Sequence, residues 1–133
     1  MESHAIVSFR LAGLAFEYDP QKEAANIRKH GISFRAAARV FFDEDYIEEV
    51  DRRHSDDELR YNVIGDTSSG NAAVYAAIGN IEHFVGEVQD ILYVVYTERI
   101  RKEMNEKPFE VIRIISARLA NSFERGLYYG QYL

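Results

Sequence analysis

The sequence predicts a single α+β domain in which a small antiparallel β-sheet is packed by two N-terminal helices and a C-terminal helix. Three observations indicate this class. Helical segments with capping residues fill residues 20–42, strand-like segments dominate residues 46–117, and a last helical segment covers residues 121–132. The chain has 133 residues, of which 47% are hydrophobic, so it can bury one sizeable core.

The first helix is marked at both ends. Asp19 is a good N-cap, and Pro20 at the first helical position lacks an N–H that would be unpaired there anyway. Gly31 marks the end, because glycine adopts the left-handed conformation without steric cost. The spacing predicts that Ala24 and Ile27 form a narrow apolar stripe facing the core.

A second helix begins at Ser33, another N-cap residue. Its apolar side chains recur with helical spacing and share one face: Phe34, Ala37, Ala38 and Phe41. In front of both helices, residues 5–18 alternate weakly between apolar and polar side chains and predict one or two short strands.

The other strands are predicted from β-branched and aromatic runs that turn residues separate. They are residues 46–50, 59–64, 73–78, 91–97 and 109–117. The charged segment 99–108 is predicted to be a loop. In the closing helix, Phe123 and Leu127 are predicted to face the core.

Charge is distributed unevenly along the chain. The net charge of −6 argues against a nucleic-acid binder when it is taken alone. Residues 43–58 contain nine acids and two arginines, whereas residues 20–42 contain one acid and five bases. The acidic segment is either a solvated strand edge and loop or a docking surface for a basic partner.

Composition and motifs exclude several functional classes. The chain has no cysteine, so it has neither a disulfide framework nor a thiolate metal site. Nothing resembles a zinc site, a P-loop, a dinucleotide fingerprint or a serine nucleophile elbow. The N-terminus does not have the pattern of a signal peptide, and no apolar segment approaches the roughly 18 residues of a membrane span. We therefore expect no metal, no cofactor and no membrane insertion.

The strand at residues 109–117 carries the most informative charge. Arg113 lies in the middle of this apolar run, and strict alternation places it on one face with Phe109, Val111, Ile115 and Ala117. A guanidinium on a packed face must be paired or must line a cleft, because burying it alone is costly. Arg113 therefore either pairs with an internal acid, such as Glu98 or Glu124, or binds an anion.

Further candidate residues lie near the ends of secondary-structure elements. Arg118 ends the same strand, where it is either an exposed charge or a side chain at the mouth of a site. Glu124 and Tyr128 share a helix face, as a hydrogen-bonded pair or as acid, base or phosphate ligands. Lys29 and His30 end the first helix, where the dipole alone favours cations, although histidine can also change its charge near neutral pH.

Several segments, in order, resemble the BrnT toxins of bacterial type II toxin–antitoxin systems. In the first half, the similar segments are residues 16–20 (FEYDP), 26–34 (NIRKHGISF) and 38–41 (ARVF). In the second half, they are residues 94–99 (VVYTER), 113–120 (RIISARLA), 124–125 (ER) and 128–129 (YY). The resemblance covers most of residues 16–130.

The resemblance implies a RelE-like fold and a metal-independent ribonuclease in the bacterial cytoplasm. Such a toxin cuts RNA and arrests growth until its antitoxin neutralises it. The implied partner is a cognate BrnA-like antitoxin with a ribbon-helix-helix DNA-binding region, so that DNA is contacted only through the antitoxin. A homodimer within that complex is a further option.

Position and resemblance together assign roles to eight side chains. Arg113 and Arg118 are assigned to the scissile phosphate, because arginine stays charged and its planar fork matches phosphate oxygens. Glu124 and His30 are the candidate proton carriers, followed by Tyr128. The predicted contacts to flanking RNA are Lys29, Arg60 and Arg99.

The chain also departs from the family pattern. It carries an extra N-terminal segment at residues 1–14 and an insertion at about residues 66–84. These additions and the acidic segment leave two other functions open. One is an inactive or attenuated toxin that acts only as an antitoxin-binding module, and the other is an RNA-binding domain that does not cleave.

Overall fold

The structure, a computed structural model, describes residues 5–54, 58–68 and 90–131. Its strands are β1 (Val7–Leu11), β2 (Leu14–Tyr18), β3 (Ile47–Val50), β4 (Tyr61–Asp66), β5 (Ile91–Arg101) and β6 (Phe109–Leu119). Its α-helices are α1 (Pro20–His30), α2 (Phe34–Ala38) and α3 (Ser122–Gly130), with 3₁₀ turns at Arg39–Phe42 and Arg52–His54. The strand predicted at residues 73–78 and most of the insertion lie outside the described residues.

The six strands form one mixed sheet in the order β1-β2-β6-β5-β4-β3. All neighbouring pairs are antiparallel except β2 and β6, which are parallel at Phe16 opposite Ile112 and at Glu17 opposite Arg113. The α+β class is confirmed, but the prediction of an antiparallel sheet is wrong at this pair. The sequence predicts where the strands lie, but it does not predict which strands pair. The long connection from β2 to β6 allows these two strands to pair in parallel.

The predicted helix ends are confirmed. The Asp19 side chain accepts a hydrogen bond from the Gln21 N–H, Pro20 is the first helical residue, and Gly31 has a φ of 72°. Ser33 caps α2 by accepting from the Ala36 N–H. These ends are local features, since each depends on residues within one turn of the cap.

The main core lies between one face of the sheet and the α1–α2 segment. Phe34, Ala37 and Ala38 are fully buried, as predicted, and Phe41 packs against them from the 3₁₀ turn. From the sheet, the core includes Phe16, Val63, Leu92, Val94, Tyr96, Ile114 and Ala117. The opposite face of the β5–β6 hairpin is the one that carries the charged side chains described below.

A β-bulge in β6 overturns the predicted alternation. Val95 lies opposite Ser116, but Tyr96 lies opposite Ile114, so Ile115 is the extra residue. Strict alternation would place Arg113 and Arg118, five positions apart, on opposite faces. Because a shift of one residue exchanges the faces of a strand, the bulge brings both arginines to the face away from the core.

Two predicted inner helix faces are wrong. In α1, Asn26 is buried and Ile27 is 43% exposed, because Asn26 anchors the helix through hydrogen bonds. In α3, Phe123 is 72% exposed and Leu127 is 46% exposed, while Glu124 and Tyr128 turn inward. Polar contacts, rather than apolar stripes, orient both helices.

The predicted loop at residues 99–108 is shorter than expected. Strand β5 continues to Arg101, where it pairs with Phe109 at the start of β6. The connection is therefore limited to residues 102–108. The β5–β6 hairpin is the longest feature of the sheet, with eleven residues in each strand.

Candidate functional site

A cleft of about 420 Å³ lies where the end of α1 meets the outer face of the β5–β6 hairpin. It brings together four of the residues selected from the sequence: Lys29, His30, Arg60 and Arg118. Tyr93, Ser116 and Asp51 also line it. Two arginines, one lysine and one histidine thus line the same cleft, and Asp51 is the one carboxylate among the lining residues.

The guanidinium of Arg118 is held in one orientation. Its two terminal nitrogens donate to the two carboxylate oxygens of Glu124 at 2.7 and 2.8 Å, and Nη1 also donates to the Leu119 carbonyl. The guanidinium carbon lies 4.2 Å from the ring centroid of Tyr93. Among the described residues, the edge formed by Nε and the second Nη2 hydrogen contacts no acceptor. This edge can donate two parallel hydrogen bonds to an anion.

Glu124 is fixed by the start of α3. Asn121 and Glu124 form a capping box, in which the Asn121 side chain accepts from the Glu124 N–H and Glu124 accepts from the Asn121 N–H. Burial raises the pKa of Glu124, but the hydrogen bonds from Arg118 and the Asn121 N–H outweigh it and leave the pKa below its ordinary value. Glu124 therefore carries a negative charge and holds the guanidinium of Arg118 in place.

Asn26 joins α1 to the strand that carries Arg118. Its side-chain amide donates to the Ala117 carbonyl at 2.8 Å and accepts from the Ala117 N–H at 3.1 Å. It also donates to the Ile32 carbonyl just beyond the helix. Strand β2 pairs with β6 only as far as Arg113. Beyond that point, the Asn26 amide takes the place of a neighbouring strand at the edge of β6. This contact holds the end of α1, with Lys29 and His30, beside the cleft.

Sequence reasoning missed Asn26 as a site-building residue. A polar residue among helical apolar positions was the available signal, because asparagine can satisfy both a backbone donor and a backbone acceptor. Its position in the segment NIRKHG, directly before the basic end of α1, was a second signal.

A match to a known family accompanies this geometry. The family model described as the ribonuclease toxin, BrnT, of the type II toxin–antitoxin system matches residues 18–124. The chain belongs to the BrnT family. Membership implies a ribonuclease toxin with an antitoxin as its partner. No curated protein matches the sequence closely enough to add a more specific relative.

The matched region of this BrnT-family chain includes every residue that builds the cleft, from Asn26 to Glu124. It begins at Tyr18, so β1 lies before the match. It ends at Glu124, within the first turn of α3.

Tyr128 lies outside the cleft. Its hydroxyl donates to the buried Asp43 carboxylate at 2.5 Å, and the same Asp43 oxygen accepts from the Asp66 N–H. Asp43 also accepts from the Asp45 N–H through its other oxygen. Tyr128 therefore connects α3 to the turn before β3 and to the end of β4, and it belongs to the small core cluster against which Tyr93 packs.

Arg113 also lies outside the cleft, and its partner is neither Glu98 nor Glu124. It donates to Glu17 at 2.8 Å, and Arg101 donates to both oxygens of the same carboxylate at 2.9 and 2.7 Å. The Arg101 hydrogen bond is the main cause that lowers the pKa of Glu17, with Arg113 adding to it against the opposing effect of burial. This cluster joins β2, β5 and β6.

Arg99 is separate from both arginine sites. It forms an ion pair of 3.0 Å with Glu58, near the connection between β3 and β4. Two exposed acids of the acidic segment, Glu48 and Glu49, lie on β3 at the edge of the sheet. Charged side chains at a sheet edge oppose strand-to-strand association, so the solvated edge explains this part of the segment.

Within the described ranges, no group of three or more histidine, aspartate or glutamate side chains is placed to hold a metal ion. None of the helices in those ranges is long and apolar enough to cross a membrane.

Proposed function

We propose that this chain is a metal-independent endoribonuclease whose active site is the cleft around Arg118. The observation that carries the proposal is the convergence of Arg118, Lys29, His30 and Arg60 in one cleft, with an open donor edge on Arg118. Positive side chains in a concave site favour a phosphodiester. The family supplies the class of substrate, which is RNA.

The proposed reaction uses the nucleophile that RNA itself carries. The ribose 2′-OH loses its proton and attacks the adjacent phosphorus, so that a 2′-O–P bond forms. The P–O5′ bond then breaks, the 5′-oxygen takes up a proton, and a 2′,3′-cyclic phosphate remains on the other fragment. The chain must accept one proton, stabilise the negative phosphorane and return one proton.

Arg118 is the proposed phosphorane ligand. Its open edge has the spacing to donate to two phosphate oxygens, and Glu124 and Tyr93 fix its plane before the substrate arrives. Pre-oriented donors of this kind stabilise developing charge without reorganisation. Lys29 and Arg60 are the proposed ligands of the flanking phosphates.

His30 is the proposed proton carrier. It lines the same cleft as Arg118, and imidazole can both accept and donate a proton near neutral pH. Glu124 uses both carboxylate oxygens to hold Arg118, and one of them also accepts from the Asn121 N–H. We therefore assign Glu124 a positioning role in place of the proton transfer that the sequence suggested as an alternative.

Purified chain incubated with RNA tests this proposal. We expect fragments that end in 2′,3′-cyclic phosphate, unchanged cleavage in excess EDTA, and no cleavage at a 2′-deoxy position. Growth arrest with intact RNA would favour the non-cleaving RNA-binding domain instead. Absence of both cleavage and arrest, together with tight antitoxin binding, would favour the inactive interaction module.

We further propose a ribbon-helix-helix antitoxin as the partner, action in the bacterial cytoplasm, and a RelE-like relationship for the fold. The exposed side of α3 supports a protein partner, because Phe123 and Leu127 present apolar surface to solvent. This apolar surface ends near Gln131, whose side-chain amide donates a hydrogen bond to the Asp45 carbonyl. Exposed acidic side chains lie beside that contact. A basic antitoxin segment with apolar anchors complements this surface.

Co-purification with the antitoxin tests the docking surface. We expect the double substitution Phe123→Ser and Leu127→Ser to weaken the complex while RNA cleavage by the free chain is retained. Replacement of Ile100, an exposed apolar residue on β5, by serine is the matched control. Equal retention of the antitoxin by both variants would place the interface elsewhere.

A further inference from the structure

A second concave site lies at the other end of the β5–β6 hairpin. Its volume is about 350 Å³, and it forms where β2 and the start of β6 diverge beyond their two paired positions. Three cationic side chains line it: Arg10, Arg101 and Lys102. The carboxylates that line it are Glu17 and Glu103.

The charge balance of this second pocket favours an anion. Glu17 is 2% exposed and is already bound by two guanidiniums, those of Arg101 and Arg113. One carboxylate thus binds two cations, and Glu103 is the other carboxylate that lines the pocket with Arg10 and Lys102. In the part of the chain that is described, neither Arg10 nor Lys102 forms an ion pair. The pocket therefore has surplus positive charge.

Two of these cations are held in defined orientations. Arg101 uses Nε and Nη2 to bind Glu17, so its Nη1 amino group lies away from that carboxylate. The guanidinium of Arg10 stacks at 4.9 Å over the ring of Phe109, which also lines the pocket. Planar cations fixed in this way are suited to phosphate oxygens.

The pocket and the cleft share one face of β5. Tyr93, which lines the cleft, and Arg101, which lines the second pocket, are eight positions apart and therefore point to the same side. At about 3.3 Å per residue, Tyr93 and Arg101 are roughly 26 Å apart along the strand. A single-stranded oligonucleotide can span this distance along the hairpin, whereas a dinucleotide cannot.

We propose that the second pocket binds a distal phosphate of the RNA strand whose scissile phosphate lies in the cleft. The inference rests on the proposed function, because it takes the cleft as the site of cleavage. It defines the substrate as a single-stranded RNA several nucleotides long, and it assigns Arg10, Arg101 and Lys102 to substrate binding. The chemistry of cleavage is unaffected by this pocket, which contributes affinity.

Substrate length provides the test. Arg10→Gln and Lys102→Gln replace exposed side chains, so both variants are expected to fold, and Lys22→Gln on the first turn of α1 is the matched control. Cleavage of a dinucleotide and of a long unstructured RNA is compared for all four proteins. We expect each pocket variant to raise KM for the long RNA about tenfold at unchanged kcat, and to leave the dinucleotide unaffected.

Binding of a labelled single-stranded RNA is measured in parallel as a function of salt. Each pocket variant should lower the slope of log affinity against log salt by about 1, because one phosphate contact is lost. Equal KM for the long RNA and equal salt slopes in the pocket variants and Lys22→Gln would overturn the proposal. If the wild-type chain cleaves neither substrate, the proposed function fails, while the salt slopes still decide whether the pocket binds RNA.

Discussion

The two ends of the β5–β6 hairpin use the same pair of functional groups in different ways. At the cleft, one carboxylate, Glu124, holds one guanidinium, that of Arg118. At the far end, one carboxylate, Glu17, holds two guanidiniums, those of Arg101 and Arg113. The first arrangement is electrically balanced and leaves a donor edge open, whereas the second has a surplus positive charge.

The difference follows from what each carboxylate joins. Glu124 lies six residues from Arg118 and is set by a local capping box, so that pair orients a side chain. Glu17 lies on β2 and bonds to residues of β5 and β6, so that cluster connects three strands. We expect the loss of Arg118 at the cleft to reduce activity and the loss of Glu17 at the far end to reduce stability.

The largest expected effect is on catalysis at the cleft. Arg118→Gln should lower the rate of RNA cleavage by about 10²–10³, the usual cost of losing one pre-oriented donor. Arg118→Lys keeps the charge but loses the fork, and it should also be strongly impaired. Cleavage rates of purified proteins are the measurement, with thermal unfolding to confirm folding. Arg125→Gln, which removes an ion pair with Asp90 outside the cleft, is the control and should cleave normally.

The next effect tests the connection between α1 and the cleft. Asn26→Ala removes three hydrogen bonds and leaves buried backbone groups of Ala117 and Ile32 without a side-chain partner. We expect a loss of about 3 kcal/mol in the free energy of unfolding, measured with urea.

The control for Asn26→Ala is Ile27→Ala, one residue further along α1. Because Ile27 is 43% exposed, its truncation should cost less than about 1 kcal/mol. Equal losses in the two variants would contradict the anchoring role of Asn26.

A smaller loss of stability is expected at the far end. Glu17→Gln leaves Arg101 and Arg113 beside a neutral amide, and we expect a cost of about 2 kcal/mol, reduced because Arg101 is nearly half exposed. Chemical denaturation measures it. Dinucleotide cleavage should be unchanged, since Glu17 does not line the cleft. A loss of dinucleotide cleavage without a loss of stability would reverse the comparison between the two ends.

The smallest effect is on the pH dependence of stability. The folded-state pKa values of Glu17 and Glu124 are lowered from the ordinary 4.5, so each carboxylate contributes stability that is present above pH 4.5. That contribution is lost as the pH falls from this value through the depressed pKa values. Unfolding free energies over the acid range should therefore fall less steeply in Glu17→Gln than in the wild type. If the free energy of unfolding depends on pH in the same way in both proteins, the ion pairs of Glu17 are not a cause of the loss of stability in acid.

Local features of the sequence predicted much of the fold. Asp19, Ser33 and Gly31 fixed helix ends, because a cap depends only on the backbone within one turn. The strands β5 and β6 followed from their composition. Lys29, His30, Arg60 and Arg118 were selected from the sequence and lie together in the cleft, although their catalytic roles stay proposals.

The remaining features depend on contacts between distant segments. The amphipathic pattern placed Phe123 and Leu127 of α3 inside, but the bonds of Glu124 to Arg118 and of Tyr128 to Asp43 turn the helix the other way. A charged or phenolic group bonded to a buried partner outweighs an apolar stripe, because leaving those groups unpaired costs more than exposing two apolar side chains.

The sequence by itself determined the α+β class, the helix ends, the BrnT resemblance and the presence of two arginines on one strand. Only the tertiary structure decided what those arginines do. A one-residue bulge in β6, which no residue type in the strand predicts, places Arg113 and Arg118 on the same face. The parallel pairing of β2 with β6 places Glu17 beside Arg113. The turn into α3 places Glu124 beside Arg118. Charge partners are chosen by proximity in space, and that proximity is set by strand order and register.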